Sequence, residues 1–176
     1  MTNIGDFAFY NSGLTNAVLD SGVSNLPDET FQCCSDLLYI TIPASITPDS
    51  IYAVGGCTSL RGAFFSGDAP GSNVVYFAQG AVLYYLPGSS GWTSNYFGHA
   101  CLEWNPSTSS VAVQNGQFGF DLTGTTNIPV MVEVCDDLSA PLWTGLKSGI
   151  LTGGFFHFTD PEWTNYQSRF YRISPP

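Results

Sequence analysis

The feature that most limits what this chain can fold into is a repeat of 23 residues in its first half, marked by Leu14, Leu37 and Leu60. Three positions after each leucine stand Ala17, Ile40 and Ala63, and five after stand Leu19, Ile42 and Phe65. Nine after come Val23, Ile46 and Ala69; seventeen after come Phe31, Val54 and Phe77. Phe9 is the counterpart of that last column in a partial first unit one residue shorter. Within one unit, Leu37 to Pro43 alternates at Ile40 and Ile42 as a short strand does. Pro43 and Pro48 end that strand. A unit of this size has one narrow apolar face and cannot bury it alone. Stacked units bury a continuous core, with their strands in a parallel ladder along one side. The expected class is therefore mainly β, beginning with a short solenoid.

A period of 23 lies within the range of about 20–29 residues that leucine-rich repeats occupy. The segments Ile4-Gly5-Asp6-Phe7-Ala8-Phe9-Tyr10-Asn11, Ile40-Thr41-Ile42-Pro43-Ala44-Ser45 and Gly56-Cys57-Thr58-Ser59-Leu60 carry its signature. They resemble the BspA-type (Treponema-type) leucine-rich repeat of bacterial surface proteins, over roughly residues 1–88. The first unit lacks the usual Cys, Asp49 stands where an aliphatic residue is usual, and Tyr84-Tyr85-Leu86-Pro87 closes a shortened last unit. Such departures suit the terminal stretch of a solenoid. The resemblance implies non-enzymatic adhesion or binding, to a protein or glycan ligand, by a surface or secreted protein. Tyr39, Thr41, Phe64 and Val18 are the expected exposed positions on the strand side, and hence the candidate ligand-binding residues. Cys34 and Cys57 both stand three residues before a repeat leucine, so stacking would bring them together. They read as buried thiols acting as small hydrophobes, against a disulfide or metal cluster that lacks further ligands.

Charge narrows the partners. Of 176 residues only 10% are charged, and four basic groups against fourteen acidic ones give −10. Such a chain repels a phosphate backbone and an anionic membrane surface, which argues against nucleic-acid partners. No apolar run approaches the roughly 18 residues of a membrane helix, so membrane insertion is not expected. Met1-Thr2-Asn3-Ile4-Gly5-Asp6 has neither a basic n-region nor an apolar h-region, so the export signal that an extracellular location needs is not expected there. Five cysteines at irregular spacing, with no Cys-x-x-Cys pair, suggest neither a disulfide framework nor a zinc site. No cofactor or metal is expected.

The texture changes after Pro87. Pro87-Gly88-Ser89-Ser90-Gly91 and Asn105-Pro106-Ser107-Thr108-Ser109-Ser110 have turn and linker composition. The aromatic run from Trp92 to Trp104 is expected to cap the solenoid, giving a first domain over 1–104 and a linker over 105–112. From 113 to 176 the chain alternates as strands do: Phe118, Phe120 and Leu122; Val130, Val132 and Val134; Phe156 and Phe158; Phe170 and Arg172 against Tyr171 and Ile173. Trp143 is expected in a further short strand. This reads as a small β-sandwich-like domain. Phe118 to Gly124, Val132 to Leu138, Trp143-Thr144 and Arg169 to Arg172 are similar to a C-terminal β-domain that follows repeats in surface proteins of Verrucomicrobia-like bacteria. Its position implies a role in sorting or attachment, with a plain solenoid cap as the alternative.

Chemistry has few places to reside. His99 and His157 are the two histidines. His99 and Cys101 could share a strand face as a Cys–His nucleophile, but no signature of a cysteine enzyme surrounds them. His157 alternates with phenylalanines and reads as a solvent-side residue. The pairs Asp28-Glu29, Asp136-Asp137 and Asp160-Glu162 fall in turns, where solvated or capping roles are common. Arg169 and Arg172 are expected to pair with local acids and pin the last strand. No catalytic residue is assigned. The alternative function is a glycan-active enzyme using the aromatic connector over residues 92–104, around Trp92, Tyr96, His99 and Trp104, with loss of turnover in His99→Ala or Glu103→Gln as its test.

Overall fold

The computed structural model describes residues 4–46, 53–71 and 77–176; Pro48 and Asp49 lie outside them. The chain divides into two compact units, Met1–Glu103 and Trp104–Pro176.

In the first unit the described strands are β1 (Asn16–Val18), β2 (Tyr39–Ile42), β3 (Gly62–Phe65), β4 (Val82–Tyr85), β5 (Asn95–Tyr96) and β6 (His99–Glu103). They form one sheet in the order β1-β2-β3-β4-β6-β5, parallel from β1 through β6, with β5 antiparallel to β6. Ala17, Ile40, Ala63, Leu83 and Cys101 stand in one row across it. All five are buried, and with Leu26, Phe31, Leu37, Val54 and Leu60 they form the core. This is the solenoid that the repeat predicts. The step between register partners is 23 residues twice, from Ala17 to Ile40 and on to Ala63. It then shortens to 20 at Leu83 and 18 at Cys101.

Across the coil from the sheet, a second ladder joins successive turns. Phe9 N–H donates to the Thr30 carbonyl and Phe31 N–H to that of Ala53, both within 2.9 Å. Asn11, Cys33 and Gly56 occupy equivalent corners, each with positive φ (53°, 61° and 74°). The thiols repeat with the same step. Cys34 Sγ donates to the Phe9 carbonyl at 2.9 Å, and Cys57 Sγ to the Phe31 carbonyl at 3.0 Å. Both are free and fully buried. Ser12 fills the thiol column in the first coil, its Oγ 3.2 Å from Cys34 Sγ. A hydroxyl thus stands where the sequence shows no Cys.

The second unit contains β7 (Ser107–Gln114), β8 (Gln117–Thr123), β9 (Pro129–Cys135), β10 (Thr144–Ile150), β11 (Phe155–Asp160) and β12 (Phe170–Ser174). Two antiparallel three-stranded sheets result, β11-β8-β7 and β10-β9-β12. Phe120, Leu122 and Phe158 of the first and Val130, Val132 and Val134 of the second are buried. Phe120 meets Phe158 at 4.8 Å, and Phe118 stacks on Tyr171 at 4.7 Å across the sheets. The arrangement is sandwich-like. Trp143 precedes β10 and lies under the Arg172 guanidinium at 4.5 Å.

The linker expected over 105–112 is corrected here: most of it is β7, paired with β8 on either side of a register shift between Ser109 and Ala112. Its Ser and Thr side chains are exposed, so their polarity costs the strand nothing, while main-chain pairing is indifferent to them. Asn105 Oδ1 accepts the Thr125 N–H at 2.8 Å. Trp104, expected within the cap, donates its indole N–H to the Pro129 carbonyl at 2.9 Å inside the second unit.

Candidate functional site

Strand alternation builds the outer face of the parallel sheet. Ala17, Ile40 and Ile42 point into the core, so Asn16, Val18, Tyr39 and Thr41 point away from it. Register places Val18, Thr41, Phe64 and Tyr84 in one row, with Asn16, Tyr39, Gly62 and Val82 in the next. The four expected binding residues therefore do share one face. Their exposure differs. Val18 is 78% exposed, and Tyr39 and Thr41 are half-buried.

Phe64, expected to be exposed, is only 4% so. Its ring stacks on Tyr84 at 4.6 Å and tilts against Tyr39 at 6.0 Å. Gly62 makes room for this ladder: a Cβ there would stand 2.7 Å from Tyr84 Cε2, so the tyrosine ring lies over it. Phe64 and Tyr84 are thus buried against each other, with Tyr39 at their edge, and Val18, Thr41 and Tyr39 remain open to the outside. Burial, with Tyr39 nearby, pushes the Tyr84 hydroxyl up to about 12. Tyr84 was legible only as the close of a shortened unit; the 20-residue step that brings it beside Phe64 is the signal that identifies it.

Residues 1–76 match the family model described as BspA type Leucine rich repeat region (6 copies). The matched region holds β1 to β3, where the 23-residue step operates, and the shorter coils of β4 and β6 follow it. No curated protein and no solved structure matches the chain. Among the described residues, no helix is long and apolar enough to cross a membrane.

Beyond the matched region, the connector residues have partners of their own within their units. Trp92 stacks on Tyr85 at 5.3 Å, touches Phe65 and Tyr96, and donates its indole N–H to the Gly67 carbonyl at 3.1 Å. His99 is buried, with Nδ1 3.0 Å from the Ala81 carbonyl and its ring edge-on to Phe77. Glu103 lies beside Tyr85 in the β4–β6 register. Trp104 belongs to the other unit. His99 and Cys101 do share a face of β6, but the thiol contacts the His99 carbonyl at 3.5 Å. Burial pushes the Cys101 thiol up, the reverse of what a nucleophile requires.

The carboxylates divide. Asp137 holds Ser139 through its backbone N–H and hydroxyl, as a turn-capping residue does. Asp160, read as a solvated turn residue, is instead buried at the end of β11. It accepts the Tyr171 hydroxyl at 2.9 Å and the Glu162 N–H at 2.9 Å, and pairs with Arg169 Nε at 2.9 Å. A buried carboxylate needs such partners, which become visible only when β11 and β12 meet. Arg172 pairs with Glu133 at 2.7 Å across β12 and β9. His157 is on the solvent side, 2.6 Å from Asp121, whose carboxyl that hydrogen bond holds below the usual range.

Proposed function

We propose that the outer face of the parallel sheet is a recognition surface for a protein or glycan partner, in a non-enzymatic protein that is secreted or held at a bacterial cell surface. The observation that carries this reading is the alignment of Val18, Thr41 and Tyr39 on one open face, backed by a self-packed aromatic ladder. A neutral, preorganised surface of this kind binds by shape and apolar burial. The similarity of residues 1–76 to BspA-type repeats supports it.

The test is a glycan array together with a pull-down from host and bacterial surface proteins. Tyr39→Ala with Val18→Lys should abolish the signal while the fold is retained; Phe64 is left intact because it is buried. A signal unchanged in that variant sinks the assignment of this face. Turnover of a model glycoside, lost in His99→Ala or Glu103→Gln, would overturn the non-enzymatic reading. The second unit is proposed to serve sorting or attachment. Deleting residues 104–176 should then impair surface retention or export, and unaffected export with unaffected retention would leave a cap or stalk.

A further inference from the structure

The second unit has an opening of its own. β7 and β12 are each the last strand of a three-stranded sheet, and a slot of about 420 Å³ lies between them. Thr108 and Val111 line it from β7, Phe118 and Phe120 from β8, and five consecutive residues, Arg169 to Ile173, from the β12 side. Consecutive lining means that the slot follows the edge of the strand and not merely one of its faces.

The two edges are not equivalent. β7 carries a register shift between Ser109 and Ala112, with Ser110 at φ 53°. Such a bulge spoils an edge for further pairing. It also brings Thr108 and Val111, three residues apart, to the same slot. β12 pairs with β9 in unbroken register from Phe170 to Ser174. Among the described residues, no main-chain hydrogen bond reaches its other edge.

Arg169 supplies an independent pointer. Its side chain is 7% exposed, it lines the slot, and its Nε and Nη1 are both buried without a hydrogen-bond partner, Nε standing 2.9 Å from Asp160 Oδ2 as an ion pair only. Native interiors rarely leave such donors unused. The charge is already met by Asp160, and that of Arg172 by Glu133. The missing acceptor is therefore a neutral oxygen, which an acidic chain also favours over an anion. The Tyr166 ring lies 3.8 Å over the guanidinium, on the exposed side of the loop before β12.

We propose that this unit holds a strand-addition site: an extended partner peptide pairs with the free edge of β12, seats one apolar side chain against Phe118 and Tyr171, and presents a main-chain carbonyl to Arg169 Nη1. Tyr166 turns aside to admit that carbonyl. Main-chain pairing supplies affinity and the slot supplies selectivity, as in other strand additions. The site is separate from the face of the parallel sheet and stands or falls independently of it.

The test pans a random-peptide phage library on the full chain, then measures fluorescein-labelled versions of the recovered peptides by anisotropy. Recovered sequences should alternate apolar residues and bind saturably. Val111→Lys, a change on the exposed rim, should weaken binding at least about tenfold, as should Arg169→Lys, which keeps the charge beside Asp160 but removes Nη1. Methylating alternate backbone nitrogens of the peptide should abolish binding with every side chain retained. Recovery of no binding peptide, or binding indifferent to Val111→Lys, to Arg169→Lys or to methylation, overturns the proposal. So does concentration-dependent dimerisation abolished by Val111→Lys without peptide binding, since the edge would then serve a second copy of the chain.

Discussion

At the scale of single residues, burial separates groups that the sequence presents alike. Of the five cysteines, Cys33 is partly exposed at a positive-φ corner, and the other four are buried. Burial, first of all, and the neighbouring Cys34 push the Cys57 thiol up to about 11. Iodoacetamide at neutral pH should therefore modify Cys33 first and leave Cys57 untouched until unfolding, read by peptide mass mapping; early labelling of Cys57 would refute the buried thiol ladder. Tyr84 gives a second handle. Its hydroxyl has a higher pKa folded than unfolded, so the folded state favours the neutral form. The contribution to stability is complete below pH 10, the ordinary tyrosine value, and is lost as pH rises through about 12. Tyr84→Phe should remain folded at neutral pH and lose less stability over that alkaline window, measured by denaturant melts. Phe64 shows the limit of reading residues one at a time. Strand parity places it outward, and parity is correct, but its burial depends on Tyr84 from a later coil.

At the scale of elements, the second unit depends on close main-chain approach and on paired charges. Gly119 sits in the central strand β8, where an added Cβ would stand 2.6 Å from the Phe158 carbonyl. Because that neighbour is backbone, Gly119→Ala should force β8 and β11 apart and cost about 1–3 kcal/mol in a thermal melt. β9 and β12 are joined by Glu133 and Arg172. Desolvation raises the Glu133 pKa, but hydrogen bonds from Arg172 and Ser174 outweigh it, and the carboxyl is held below its usual value. Its stabilising contribution is present above the ordinary carboxylate range, near pH 4, and lost as pH falls below it. Glu133→Gln should thus melt lower than the parent at neutral pH and show a shallower loss on acidification. The alternation of Phe118 to Leu122 and Val130 to Val134 announced these strands. The polar run Ser107–Ser110 concealed β7, since an edge strand exposed along most of its length has no apolar period to reveal it.

For the whole molecule, the division after Glu103 has a direct consequence. Residues 104–176 expressed alone should melt cooperatively, whereas 113–176, which lacks most of β7, the Trp104–Pro129 hydrogen bond and the Asn105 cap on Thr125, should not. Circular dichroism distinguishes the two, and a cooperative melt of the shorter piece would refute the assigned boundary. By itself the sequence determined the solenoid and its inward rows, because a 23-residue apolar period can be satisfied only by stacking each unit on the next. It determined equally the strand character of the second half and the pairing of Arg169 and Arg172 with acids. Only the tertiary structure decided which outward residues stay open, that coils of 20 and 18 residues continue the same sheet, and that Asp160 is buried. The reason is physical. A periodic apolar pattern records burial within one repeat, whereas exposure, register between unequal coils and the partners of a buried charge depend on residues distant in sequence.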